Sequence, residues 1–274
     1  MEIQDLRVER LGAALGARVS GIDLRQPLET DLVGRLRSLL FEHQVLFFRG
    51  QELTDDEHIA FASNFGRPNV YPLVEMAGSN RTIEFVWDGP DRKPTAANWH
   101  TDVTWLQDPP RIGMLAAQKI PENGGDTLWC SLYSVHDALP AELREQIREA
   151  VVRHSAGPGF VDLVVRPMGE AYVQPFREKY GNGSRHELVR THAVTGRPLV
   201  YLAGAFMDHI EGLEVDVGRA LLRRLMEIAD DPVHHIRWKW SVHDVALWDE
   251  RSTMHHVDTS HWPEPRRMRR CTVS

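Results

Sequence analysis

A chain of 274 residues that is 42% hydrophobic has enough apolar matter for a sizeable core, in one large domain or two small ones, and no linker favours two. Its net charge of -7 excludes bulk attraction to nucleic acid or an anionic membrane, although the closing "RRMRR" is locally basic. Two cysteines, Cys130 and Cys271, are too few for a disulfide framework or a Cys-rich zinc site, and no apolar run approaches the roughly 20 residues of a membrane span. With charges throughout "MEIQDLRVERLGAALGARVSG" and no signal-peptide pattern, the expectation is a cytoplasmic protein with reduced thiols.

In chain order, "ARVSGIDL" alternates as a strand, "ETDLVGRLRSLLFEH" has helical spacing, and "QVLFFRG" reads as a short buried strand. The next helix, "TDDEHIAFASNFG", has Thr54 as candidate N-cap and closes on Gly66. From 69 to 94 the chain is polar and rich in Gly, Pro, Asp and Asn, which predicts loop around one strand near "RTIEFVW". "NWHTDVTW" reads as a strand, "RIGMLAAQKI" as another, "PENGGDT" as a turn, and "SLYSVHDALPAELREQIREA" as a helix broken near Pro140. Residues 157 to 183 have little periodicity and read as an insertion or lid. Beyond them come two strands joined at Thr195-Gly196, a periodic helix in "EVDVGRALLRRLMEIADD", and alternating segments through "HHIRWKWSVHDVALWDE", "TMHHVD" and "RRMRRCTVS". This distribution predicts a mainly β centre with flanking helices in a single domain, 1 to 274, with lid insertions near 69 to 94 and 157 to 183.

Fourteen histidines are scattered through the chain, so spacing has to select among them. On an extended strand residues i and i+2 face the same way, so His100 and Asp102 would offer a nitrogen and an oxygen to one point. A 2-His-1-carboxylate iron site needs a third ligand, and "DVALWDERSTMHHVD" supplies His255 and His256, with His261 beyond. Periodicity does not choose among these, and a surface pair or a His-Asp hydrogen bond is the plainer alternative for H-x-D. If "RRMRR" is a strand, Arg266, Met268 and Arg270 share one face. Inward guanidiniums call for carboxylate partners, whereas a basic edge strand that resists aggregation needs none.

Taken together, "LGARVSGIDLRQPL", "HQVLFFRGQELTDDEHIAFASNFG", "NWHTDVTW", "GGDTLWCSLYSVHDAL", "HELVRTHAVTGRPLVYL", "WDERSTMHH" and the Arg-rich end resemble the taurine dioxygenase and 2,4-dichlorophenoxyacetate dioxygenase family of Fe(II)/2-oxoglutarate-dependent oxygenases. The resemblance covers nearly the whole chain and implies a double-stranded β-helix, or jelly roll. It implies Fe(II) held by His100, Asp102 and His255, since the family's W-D-N-x-x-x-x-H appears as "WDERSTMH", leaving His256 without an inherited role. By the same matching, Thr127 and Arg266 would meet the distal carboxylate of 2-oxoglutarate, and Arg270 an anionic group of the substrate. Tyr71, Val103 and Phe160 would line the pocket. The implied reaction consumes O2 and 2-oxoglutarate, releases succinate and carbon dioxide, and hydroxylates a small anionic molecule such as a sulfonate, alkyl sulfate, aryloxy acid or related carboxylate. Pro68 and Asn69 stand where taurine dioxygenase carries a histidine, and Ala96 where it carries an asparagine, which argues against taurine.

Trp99 and Trp248 beside the ligands read as barrel core in preference to an iron shield. His43, His58, His136, His186 and His209 read as capping, surface or hydrogen-bonded residues, and His192 as scaffold. A zinc hydrolase with an activated water, or a non-catalytic binding protein on the same fold, would use the same three ligands, but neither requires Thr127 together with Arg266. Neither nucleic acid nor membrane is expected as a partner; homo-oligomerisation stays open.

Overall fold

The computed structural model describes residues 6–274; residues 1–5, the start of the stretch read as lacking a leader, lie outside the described residues. The strands are β1 (Arg7–Arg10), β2 (Ala17–Ser20), β3 (Val45–Phe48), β4 (Glu84–Asp88), β5 (Ile112–Lys119), β6 (Thr127–Ser131), β7 (Val151–His154), β8 (Ser184–Glu187), β9 (Val189–Thr191), β10 (Pro198–Val200), β11 (Met207–Ile210), β12 (His235–Trp238), β13 (Val245–Asp249), β14 (Thr253–Val257) and β15 (Arg266–Val273). Around them pack α1 (Thr30–His43), α2 (Asp55–Ser63), α3 (Pro72–Met76), α4 (Leu132–Ala138), α5 (Ala141–Ile147), α6 (Gly157–Phe160), α7 (Val173–Tyr180) and α8 (Val215–Ala229).

A large sheet runs β1-β2-β3-β13-β5-β15-β4, and a smaller one runs β12-β6-β14. The apolar runs of β3 and β13 are continuous because both of their faces are covered. Leu46, Phe48, Val245 and Leu247 pack toward α1 and α2, whereas Val45, Phe47, Ala246 and Trp248 pack with Trp129, Trp238 and Trp240 against the small sheet. The chain is therefore mainly β with helices outside, as composition and pattern predict. β15 is an interior strand between β5 and β4, so the basic edge strand gives way to the inward reading. Met268 belongs to the core between the sheets, while Cys271 and Val273 face the helices.

Thr54 caps α2 in a capping box with Glu57, as its position before the apolar run indicates. Pro140 divides the predicted long helix into α4 and α5. Three expectations are corrected. "NWHTDVTW" is not a strand: His100 forms an isolated bridge to His255, and the chain then turns through Val103 at φ 46°. Loop was expected around the strand at 69–94, yet it also holds α3, with Pro72 at its first turn. Residues 157–180 form short helical turns whose Gly and Pro interruptions hide the period. Val161, Val165, Val173 and Phe176 bury there against Val103, Trp105 and Phe206. Among the described residues no helix is long and apolar enough to cross a membrane.

Candidate metal centre and active site

His100, Asp102 and His255 each bring one ligand atom to within 4.8 Å of the other two, and all are buried or nearly so. The bridge between His100 and β14 sets this: each residue donates its backbone N–H to the other's carbonyl, at 3.0 and 2.8 Å. His100 Nδ1 lies 2.8 Å from the Asn98 carbonyl, so the Nδ1–H tautomer leaves Nε2 as a lone pair, 3.8 Å from Asp102 Oδ1. Burial lowers the pKa of both imidazoles, His255 well below its ordinary value, with His100 adding to the effect there. Neutral rings near a carboxylate are the donor set of a divalent cation.

Burial would raise Asp102, but Arg270 and then the two imidazoles outweigh it and hold the carboxyl below its usual range. Arg270 Nη1 lies 2.9 and 2.8 Å from the two Asp102 oxygens. On the far side, Glu250 accepts from the Asp102 backbone N–H at 3.2 Å and from the Trp248 indole at 2.8 Å. Burial, with Asp102 beside it, pushes Glu250 well above the carboxylate range, so the two neighbouring acids are shifted in opposite directions. Trp248 packs 5.1 Å from the His255 ring, beneath the site. Trp99 turns away and bonds Asp230, its ring 4.3 Å from that of His256. Both are packing residues, as the sequence reading favours.

Along β15, Arg266 and Arg270 share the face that looks toward the small sheet. Arg266 is 1% exposed, and among the described residues it makes no ion pair. Nε donates to the Gly125 carbonyl at 2.9 Å, and Nη2 to Thr127 Oγ1 at 3.2 Å, an oxygen that also accepts from Trp240 at 2.9 Å. Gly125 adopts φ 72°, and a Cβ there would stand 2.8 Å from Pro121 and 3.3 Å from Arg266, so the "GGD" turn needs glycine to reach the arginine. Burial pulls the Arg266 pKa down to about 10, despite Asp88 and Asp126 nearby, which leaves the guanidinium charged at neutral pH. In the register of β6 with β14, Thr127 faces Val257 and Trp129 faces His255, so Thr127 and His255 are diagonal neighbours on one face. A buried, charged fork with no ion pair among the described residues, one step along the sheets from the triad, fits a carboxylate-bearing cosubstrate.

Tyr71 lies 4.7 Å under the Arg270 guanidinium. Phe160 meets Phe206 edge to face at 5.9 Å, and the Phe206 ring is 6.3 Å from His100. Tyr71, Val103, Pro68, Asn69 and Thr272 line a cavity of about 340 Å³. Ala96 engages through its backbone, accepting from the Val257 N–H at 2.9 Å. Four site residues escaped the sequence reading: Phe206, Trp240, Glu250 and Glu84. Only Glu250 carried a sequence signal, as the departure in "WDERSTMH". Among the other histidines, His261 pairs with Asp88 and buried His192 with Asp249, scaffold roles in both cases. His58 departs from expectation: both ring nitrogens are buried and have no hydrogen-bond partner among the described residues.

A mainly β fold with two His and one Asp converging beside an unpaired buried arginine defines a non-haem metal-dependent oxygenase. The model of the taurine catabolism dioxygenase TauD, TfdA family matches residues 7–272, and the chain belongs to this family of Fe(II)- and 2-oxoglutarate-dependent dioxygenases. It is 32% identical to an alkylsulfatase of Acinetobacter baylyi over 99% of this chain and 86% of the relative. With an alpha-ketoglutarate-dependent 2,4-dichlorophenoxyacetate dioxygenase of Cupriavidus pinatubonensis it shares 33% identity over 94% and 93% of the two chains. Its structure superposes at TM-score 0.82 on AAD-2 in complex with Mn(II) and N-oxalylglycine, at 30% identity, covering 98% of this chain and 96% of that one.

Proposed function

We propose that the chain, on a double-stranded β-helix core, hydroxylates a C–H bond of a small organic substrate whose acidic group meets Arg270. The reading is carried by Arg266, a fully buried guanidinium that has Thr127 beside it and no carboxylate partner among the described residues. Relatives named for an alkyl sulfatase activity and for 2,4-dichlorophenoxyacetate support an anionic group on the substrate. Bound Fe(II), with 2-oxoglutarate and O2, supplies the oxidation and releases succinate and carbon dioxide.

The protein's own part is positioning. His100, Asp102 and His255 would hold the metal. Thr127 and Arg266 take the distal carboxylate of 2-oxoglutarate, whose charge satisfies a guanidinium that burial has stripped of water. Tyr71, Val103 and Phe160, with Phe206, form the apolar wall that orients the substrate. The segments 69–94 and 157–183 cover the site and exclude water through the packing of Leu73, Val161, Val165 and Phe176. Pro68 and Ala96 bring no side-chain donor to this wall, which supports a substrate other than taurine.

Anaerobic addition of Fe(II) and 2-oxoglutarate is expected to give a visible metal-to-ligand charge-transfer band. His255→Ala should abolish the band and His256→Ala should keep it. A metal-loaded protein with no band would sink the oxygenase reading, and the reverse pattern in the two variants would overturn the choice of ligand.

A further inference from the structure

Arg270, where a substrate's acidic group is expected, already has a partner on each edge. Nε and Nη2 both donate to Glu84 Oε2, at 3.0 and 2.6 Å, while Nη1 holds Asp102. Glu84 faces Arg270 directly in the β4–β15 register, so the two side chains project from the same face of the sheet. Their side chains are only 23% and 13% exposed, so the pair is little screened. Tyr71 covers one face of the guanidinium, and an acidic group would meet its N–H edges.

A metal held by Asp102 would compete with Nη1 for that carboxylate and so open the Nη1 edge to a substrate, whereas the Nε and Nη2 edge is held by Glu84. A plain anion would then meet a guanidinium whose charge is already cancelled, next to a carboxylate that repels it. Glu84 engages Arg270 through Oε2 alone, and among the described residues Oε1 makes no hydrogen bond. Holding β4 to β15 does not account for the pair, because five register positions join these strands and a buried ion pair is no more stabilising than an apolar one of similar volume.

We propose that Glu84 is a specificity-determining residue that makes this a site for zwitterions, with the substrate's acidic group on Arg270 Nη1 and an ammonium group on Glu84 Oε1. Amino acids are the substrate class, in preference to plain sulfonates, sulfate esters and aryloxy acids. The inference rests on the oxygenase reading and on Arg270 as the substrate's anchor.

The test is calorimetric binding to the chain loaded with Mn(II) and N-oxalylglycine, which does not turn over. The probes are the proteinogenic amino acids, their deaminated carboxylates of the same skeleton, and a panel of alkyl sulfonates, alkyl sulfates and aryloxy acids. At least one amino acid should bind ten-fold or more tighter than its deaminated counterpart. Glu84→Gln should erase that preference, and Glu84→Leu should reverse it, raising affinity for plain anions about ten-fold. Binding confined to plain anions, no amino-acid binding at all, or a preference unchanged in both variants overturns the proposal. Failure of Mn(II) and N-oxalylglycine to bind would instead overturn the oxygenase reading.

Discussion

The charges around the triad form a chain in which each residue's state depends on the next. Arg270 lowers the pKa of Asp102 against its burial, burial and then Asp102 raise that of Glu250, and Glu84 pairs with the other edge of Arg270. Arg266 stands outside this chain, with no ion pair among the described residues, so removing it should affect cosubstrate before substrate. Arg266→Leu is expected to weaken 2-oxoglutarate binding by roughly 10- to 100-fold, the range for a charge-assisted hydrogen-bonded pair, and Thr127→Val by several-fold. An anaerobic titration of the charge-transfer band measures both, and equal affinity in Arg266→Leu would remove that residue from the cosubstrate site. Here the sequence was informative about residue type: H-x-D, the distant "MHH" and the alternating arginines were all visible. Glu84 was not, because a lone glutamate in "RTIEFVW" acquires meaning only from its register partner.

Among the elements, β5 packs directly on the site's supporting core. A Cβ at Gly113 would lie 2.3 Å from the Trp248 ring and 2.9 Å from Glu250 Oε1, the two groups that brace Asp102 and His255. Gly113→Ala is therefore expected to cost about 3 kcal/mol by overpacking, read from urea unfolding, with weaker metal binding because Trp248 must move. On the opposite face, α2 is fastened by its capping box and by the Arg269–Asp55 pair at 2.8 Å. Thr54→Ala should cost about 1 kcal/mol and leave the charge-transfer band intact. Elements with strong periods or caps, such as α1, α2, α8, β3 and β13, were legible in the sequence. The turn carrying His100 and Asp102 was not, since alternation around H-x-D also fits a chain that turns at Val103.

At the scale of the whole molecule, buried neutral histidines govern the response to acid. Burial lowers His58 from 6.5 to about 3, with Arg269 adding to it, and His154 to about 2; both are fully buried. The unfolded chain takes up these protons near pH 6.5 and the folded one does not, so stability falls as pH drops below that value and continues to fall toward the folded pKa. Each is expected to contribute a loss of about 2 kcal/mol between pH 6.5 and 5. His58→Phe should flatten that limb in urea midpoints measured at pH 7, 6 and 5, and an unchanged slope would refute the assignment. The sequence by itself determined the mainly β class, most strands and helices, and the residue types of the candidate site, because period and capping are local properties of the chain. The motif match singled out His255; only the tertiary structure decided that Arg266 makes no ion pair among the described residues and that Arg270 already makes one with Glu84. Alternation tells which face a side chain takes, whereas what it meets there depends on strand register and on the packing of one sheet over another.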